Sequence, residues 1–196
     1  MARFKVGEGL ERVYYAGVES PMGTIWAAAT ERGLFQVSLP LPESGFLESL
    51  GRRLDAEVVR DPDRLRALRV MMESYFRGER VAFDLPLDLR GTDFQKAVWR
   101  AIYAIPYGRL SSYGRLAAAV GKPRAARAVG NAVGSNQLAV VVPCHRVIRS
   151  DGGLGGFGGR PELKRYLLGV EGVLPRVEVG EVERPIREGG MRKFFE

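Results

Sequence analysis

The chain has 196 residues, 45% of them hydrophobic, which allows one large domain or two small domains with a sizeable core. Its single cysteine excludes an intramolecular disulfide and a zinc site built from a cysteine cluster, and it favours a reducing compartment. Because no apolar run is long enough to cross a bilayer and no signal-peptide core follows the N-terminus, we expect a cytoplasmic protein that does not bind a membrane.

The formal net charge of +7 is concentrated in one part of the sequence. Residues 1–93 carry 13 basic and 15 acidic side chains (−2), residues 94–171 carry 12 and 3 (+9), and residues 172–196 carry 5 of each (zero). This segregation is typical of a chain that binds a polyanion such as nucleic acid. A basic surface that only maintains solubility is an equally good interpretation of the charge alone.

The first part of the chain predicts a small α/β domain over residues 1–90. Three short β-type runs, at residues 13–18, 24–29 and 34–39, are separated by turn residues and predict a small antiparallel sheet. Apolar residues at helical spacing predict a helix over 64–76, and a shorter helix is expected over 46–54. Residues 83–91 are interpreted as a connector or an edge strand, and this half shows no catalytic constellation.

From residue 92 onward the pattern is helical and predicts a mostly α domain over residues 91–172, followed by an extension over 173–196. Helices are predicted for 94–104, 113–120, 124–133 and 162–168, each with a capping residue or a proline at its start. The second and third of them, joined by a tight turn with a glycine, predict a helix-turn-helix, whose second helix enters a DNA groove. That helix carries mostly small side chains, which suit either sequence-tolerant binding or close packing against another helix.

The neighbours Cys144 and His145 are the strongest candidates for chemistry, because they are the only cysteine and the only histidine. An apolar, strand-like run over 138–142 ends at Pro143 just before them. A thiolate is a good nucleophile, and a nearby base that depresses the thiol pKa would supply it at neutral pH. Adjacent residues of a strand point to opposite faces, so cooperation requires a turn or a bridging water. The alternative is a buried structural cysteine beside an unrelated histidine.

Two further features follow along the chain. The glycine-rich loop over 152–159 can bring backbone N–H groups close to a ligand, although it lacks the pattern of a nucleotide-phosphate loop. Within it, Phe157 is either a packing anchor or a stacking surface for a planar ligand. Glu171, after the last predicted helix, is either the carboxylate that orients His145 in a triad or an exposed helix-end residue.

Several motifs in residues 94–172 together resemble the DNA-binding and active-site domain of the O6-alkylguanine-DNA alkyltransferase family. The resemblance is strong over roughly two fifths of the chain and loose over residues 14–76, which resemble the family's N-terminal α/β domain. The matching motifs are Phe94-Gln95-Lys96-Ala97-Val98-Trp99, Ile105-Pro106-Tyr107-Gly108, Ser112-Tyr113-Gly114, Ala125-Ala126-Arg127-Ala128-Val129-Gly130, Asn136, Pro143-Cys144-His145-Arg146-Val147-Ile148, Gly156-Phe157-Gly158-Gly159 and Leu167-Leu168-Gly169-Val170-Glu171-Gly172.

The resemblance implies a repair protein that flips an O6-alkylguanine out of duplex DNA and transfers the alkyl group irreversibly to Cys144. O4-alkylthymine is a further candidate substrate whose repair the sequence does not predict, and a monomer without metal or cofactor is expected. In this scheme Glu171 holds His145, which draws the proton from Cys144 through a water. Asn136 would brace the turn before the active-site strand, and Tyr113 would donate a proton to the guanine ring.

The resemblance also implies two groups of binding residues. Arg127 would fill the gap that the flipped base leaves in the stack. The expected DNA contacts are Arg127, Arg124, Ala125, Ala126, Ala128, Gly130 and Ser112. The expected lining of the substrate pocket is Phe157, Gly156, Gly158, Val147 and Trp99.

Some features depart from the family's pattern or favour other classes of protein. With one cysteine and one histidine, the zinc site that some members carry in the N-terminal domain cannot form. Phe157 stands where other members often have a tyrosine. Cys144 argues against the alkyltransferase-like proteins that bind lesions without a cysteine. A cysteine hydrolase with turnover and a DNA-binding regulator with an inert cysteine are the alternatives.

Overall fold

The computed structural model describes residues 10–175, which fall into two compact units. The first unit runs to residue 76 and also includes residues 81–90 and 137–139, whereas the second includes 77–80, 91–136 and the described residues from 140 onward. Most of the predicted extension over 173–196 lies outside the described residues. The predicted class, an α/β unit followed by a mostly α unit, is confirmed.

The first unit is built on a four-stranded sheet in the order β3-β2-β1-β4. The three predicted strands pair antiparallel, as expected. A fourth strand, which the sequence did not reveal, pairs parallel with β1, so the sheet is mixed rather than antiparallel. This strand is short, and most of it is only partly buried, so it lacks the alternation of buried and exposed residues that identifies a strand. The strands are β1 (Glu11–Val18), β2 (Ile25–Thr30), β3 (Gly33–Val37) and β4 (Ala56–Arg60).

Helix α1 (Glu43–Gly51) connects β3 to β4, and α2 (Arg66–Phe76) follows β4. Phe46 and Leu50 of α1 are fully buried in a cluster with alternate residues of the strands, including Val13 and Trp26. Burying apolar side chains of this size contributes about 1.5–3 kcal/mol each. This cluster is therefore a hydrophobic core of the first unit.

The predicted strand over residues 138–142 is wrong. Only Leu138 bridges a strand, through a single parallel pairing with Val37 of β3, and turns follow it. Val140 has φ 70°, in the left-handed region, where a β-branched residue cannot continue an extended strand. The apolar character of this run reflects burial rather than strand formation, because residues 138–142 are all buried.

The second unit contains four helices in its described part, and each lies within two residues of its predicted start and end. They are α3 (Asp93–Tyr103), α4 (Tyr113–Ala119), α5 (Ala126–Gly134) and α6 (Pro161–Val170). Two short parallel strands, β5 (Ser111–Ser112) and β6 (Val147–Ile148), bring the start of α4 beside the segment that follows Cys144. Within residues 10–175, no helix combines the length and apolar character that crossing a membrane requires.

We expect Thr92→Ala to lower the free energy of unfolding by about 1 kcal/mol. Thr92 caps α3: its side chain accepts from the Gln95 N–H, and the Gln95 side chain accepts from the Thr92 N–H. The substitution removes the first of these bonds and leaves a helix N–H without its side-chain acceptor. Urea unfolding would measure the loss. Thr24→Ala is a suitable control and should change stability by less, because the partly buried Thr24 precedes a strand rather than a helix and its hydroxyl donates only to the Glu19 carboxylate near the surface.

Candidate active site

Cys144, His145 and Arg146 form a single 3-10 turn rather than part of a strand. The turn is closed by a hydrogen bond from the Arg146 N–H to the Pro143 carbonyl oxygen (2.9 Å). It removes the geometric objection that adjacent strand residues face apart. All three side chains are buried, so the turn presents a thiol, an imidazole and a guanidinium inside the second unit.

Glu171, which caps α6, accepts hydrogen bonds from several donors of this site. His145 Nε2 lies 2.6 Å from Glu171 Oε1, and both side chains are fully buried. Arg146 donates from Nε and Nη2 at 2.9 to 3.1 Å, and the Gly108 N–H donates to Oε2 at 3.1 Å. Burial alone would raise the Glu171 pKa, but His145 and Arg146 outweigh it and lower the pKa to about 2. The carboxylate is therefore ionised throughout the physiological range.

The protonation of His145 follows from this partner. An ionised carboxylate only accepts, so Nε2 carries the proton and donates it to Glu171. Burial lowers the pKa of His145, with Arg146 and Lys164 acting in the same direction, although Glu171 opposes the shift. The imidazole is thus neutral near pH 7, with its basic lone pair on Nδ1, which is also buried.

Cys144 is held next to the amide of Asn136. Asn136 Nδ2 donates to the Val142 carbonyl oxygen at 2.8 Å and lies 3.1 Å from the Cys144 sulfur. The expected depression of the thiol pKa is wrong for the free protein. Burial raises the Cys144 pKa, and the bond from Asn136 and the charge of Lys164 only partly oppose it. The resting group is a thiol, so its proton must be removed when the reaction occurs.

The aromatic side chains of Tyr113 and Phe157 also belong to the site. A Cβ atom at Gly155 would lie 2.8 Å from the Tyr113 hydroxyl oxygen, so the glycine-rich loop lies directly against this phenol. Burial raises the pKa of Tyr113, and a thiolate at Cys144 would add to the shift, so the phenol keeps its proton at neutral pH. The buried Phe157 ring lies edge-on to His145, with centroids 6.5 Å apart. Gly156 and Gly158 of the same loop are exposed.

Two site residues had no role assigned from the sequence. Arg146 belongs to the Pro143-Cys144-His145-Arg146 motif, and its buried guanidinium also donates to the Ile105 carbonyl oxygen. Lys164 is 0% exposed, and its ammonium group donates to the Val147 carbonyl oxygen. The available signal was a lysine at position 164 on the apolar face of a helix, seven residues before Glu171.

The expected DNA contacts have mixed exposure. Arg124, Arg127 and Ala128 are exposed, whereas Ser112 is buried and caps α4 by accepting from the Arg115 N–H. The partly buried members of the set are Ala125, Ala126 and Gly130. Arg124 precedes α5, because the helix begins at Ala126 rather than at the predicted residue 124.

Trp99, expected in the substrate pocket, lies between two helices. Its indole N–H donates to the Ala132 carbonyl oxygen of α5 at 2.8 Å, and its ring lies close to Gly91. Val147, expected in the same pocket, is fully buried and contributes its backbone carbonyl to the site. Among residues 10–175, no group of three or more histidine, cysteine, aspartate or glutamate side chains is placed to hold a metal ion.

Comparisons with known proteins point to one family. Residues 93–173 match the family described as "6-O-methylguanine DNA methyltransferase, DNA binding domain", and residues 13–89 match its "ribonuclease-like domain". A "Methylated-DNA--protein-cysteine methyltransferase" of Methanosarcina barkeri is 41% identical over 160 residues, covering 81% of this chain and 97% of that protein. The constitutive enzyme of Bacillus subtilis is 40% identical over 159 residues, covering 81% of this chain and 94% of that protein.

A solved structure agrees with these relatives. The crystal structure of Mycobacterium tuberculosis OGT in complex with DNA superimposes with a TM-score of 0.71 at 40% identity, covering 83% of this chain and 95% of that chain.

Proposed function

Because the chain belongs to the family of methylated-DNA–protein-cysteine methyltransferases, we propose that it repairs duplex DNA by moving an alkyl group from O6 of guanine to Cys144. The observation that carries the proposal is the buried contact of His145 with Glu171, next to the only thiol of the chain. O4 of thymine is a second candidate position. The alternatives of a cysteine hydrolase and of a DNA-binding regulator are not favoured. Both relatives are named as methyltransferases, and their match to this chain covers 97% and 94% of their length.

The proposed reaction begins with proton removal from the thiol. Cys144 passes its proton through a water to His145 Nδ1, and Glu171 stabilises the imidazolium that forms. The sulfur attacks the alkyl carbon, so one S–C bond forms and one C–O bond breaks. Tyr113 donates a proton to the guanine ring as the base departs. No residue of the site is assigned to remove the alkyl group from Cys144 afterwards, which agrees with a single transfer per molecule.

Asn136 and Phe157 have supporting roles in this scheme. The amide of Asn136 fixes the Val142 carbonyl and contacts the sulfur, so it holds the thiol in place before attack. The Phe157 ring and the backbone of Gly156, Gly158 and Val147 would line the pocket for the flipped base. Trp99 would act indirectly, by fixing α3 against α5.

Helices α4 and α5 are proposed as a helix-turn-helix that docks on DNA. Arg124 and Arg127 are exposed at the start of α5, and the segment 94–171 carries the whole positive excess of the chain. Base flipping costs on the order of a few kcal/mol, which phosphate contacts and insertion of Arg127 into the stack would offset. The small residues Ala125, Ala126, Ala128 and Gly130 would allow close approach without reading the sequence. A cytoplasmic monomer, with domains over 1–90 and 91–172, is part of this proposal.

The decisive measurement is the intact mass of the protein after it is mixed with a duplex that carries one O6-methylguanine. We expect each molecule to gain one methyl group, with the gain located on Cys144 by peptide mapping. Cys144→Ala should show no gain while it still binds the lesion. An unchanged wild-type mass with tight lesion binding would identify a lesion sensor, and absence of both would reject the proposal.

A further inference from the structure

Lys164 is a buried cation that the reaction described above does not use. Its side chain is 0% exposed, and its Nζ donates to the carbonyl oxygen of Val147, the residue directly after the Cys144–Arg146 turn. Lys164 and Glu171 are seven residues apart, about two turns, so they lie on the same face of α6. That face packs against the turn that carries the thiol.

A structural role alone gives a poor account of this lysine. A buried ammonium group is costly in free energy unless a negative charge compensates it. A neutral side-chain amide could also donate the one hydrogen bond to a carbonyl oxygen, so that bond does not require a charge. Among residues 10–175, no carboxylate pairs with Lys164. Its neighbours on α6, Leu163, Leu167 and Leu168, are fully buried apolar residues.

The charges around the sulfur indicate which partner Lys164 has. His145 and Arg146 of the turn face the site, and both bind Glu171. Tyr113 of α4 keeps its proton. Burial lowers the Lys164 pKa to about 8, a negative charge on Cys144 would oppose that shift, and Lys164 in turn lowers the Cys144 pKa. The negative group that matches Lys164 is therefore the thiolate.

We propose that Lys164 is a positioning residue for the transfer, whose charge stabilises the Cys144 thiolate as the proton leaves. The inference rests on the proposed function, in which that thiolate attacks the alkyl carbon. The thiol proton still goes to His145, and Lys164 keeps its own proton throughout. Burial removes the thiolate from the water that would otherwise stabilise its charge. The positive charge of Lys164 therefore compensates for that loss.

The test compares how fast iodoacetamide alkylates Cys144 across pH in Lys164→Met, Lys164→Gln and Lys164→Arg, without DNA. Met removes the charge and the donor, Gln keeps a donor, and Arg keeps the charge. We expect the midpoint of the pH profile to rise by about one unit or more in Met and Gln, with a rate near pH 7 about tenfold lower. Arg should stay within about threefold of wild type. Lys122→Met, which removes an exposed lysine, is the control and should leave the midpoint unchanged.

The midpoint separates electrostatics from access, since a change in access scales the rate equally at every pH. An unchanged midpoint in Lys164→Gln, or equal shifts in the Arg and Gln variants, would overturn the inference. The Gln and Arg variants carry the comparison if Met does not fold. Methyl transfer from the lesion duplex is measured in parallel. If wild type transfers no methyl group, the proposed function is rejected, but the pH profile of Cys144 alkylation by iodoacetamide can still be interpreted.

Discussion

Glu171→Gln should destabilise the protein by about 3–5 kcal/mol and slow methyl transfer by about a hundredfold or more. The carboxylate accepts from His145, Arg146 and the Gly108 N–H in a fully buried site. The amide removes the negative charge and leaves the Arg146 guanidinium buried without compensation. It also turns an N–H group toward one of these donors, where an acceptor is required. Urea unfolding and the rate of methyl transfer would measure the two losses.

The matched control for this substitution is Glu162→Gln on the same helix. Glu162 pairs with Arg160 at 3.3 Å, and both side chains are more than 30% exposed. We expect it to cost less than about 1 kcal/mol and to leave the transfer rate nearly unchanged. Equal costs for the two variants would show that the Glu171 cluster contributes no more than a surface ion pair.

Acidification should remove about 3 kcal/mol of stability through Glu171 alone. Its pKa falls from 4.5 to about 2 in the folded protein, because His145 and Arg146 outweigh the effect of burial. A carboxylate with a depressed pKa stabilises the fold above its unfolded pKa. That contribution is lost as the pH falls from about 4.5 toward 2. Urea unfolding at several pH values between 6 and 2 would measure the decline.

Glu171→Gln isolates the carboxylate in this titration, because the amide does not ionise. The difference in stability between wild type and the variant should shrink by about 3 kcal/mol from pH 6 to pH 2. His145 has a lowered pKa and also costs stability on acidification, starting below about 6.5. Both proteins contain it, but the variant lacks the opposing effect of Glu171, so its histidine costs more stability and acts against the shrinkage. A difference that stays constant with pH would contradict the ionised state assigned to Glu171.

The helices of the second unit were predictable because their ends carry local signals. Thr92 and Ser112 cap α3 and α4 with side-chain hydrogen bonds, and Pro161 begins α6. The predicted strand over 138–142 failed because apolar composition records burial and not backbone conformation. The left-handed φ of Val140 depends on its surroundings, which no local pattern contains.

Most of the site could be predicted from the motifs, but its electrostatics could not. Cys144 and His145 are grouped by their adjacency, Glu171 is added as a candidate triad carboxylate and through the resemblance, and the structure brings all three together. The direction of the thiol pKa was missed, since it depends on how deeply Cys144 is buried. The burial of Lys164 is not predictable from the sequence, because a lysine in a helix is ordinarily exposed and only the packing of α6 reveals its burial.

The backbone pairing of Val37 with Leu138 also has a consequence for folding of the chain during its synthesis. Strand β3 is an edge of its sheet, and its Val37 backbone bonds to Gln137 and Ala139, about a hundred residues later. A ribosome delivers the N-terminal half first, so this part of the edge is uncovered until residue 139 has emerged. Unpaired edges promote association between chains. A fragment that ends at residue 90 should therefore aggregate more readily than the full chain.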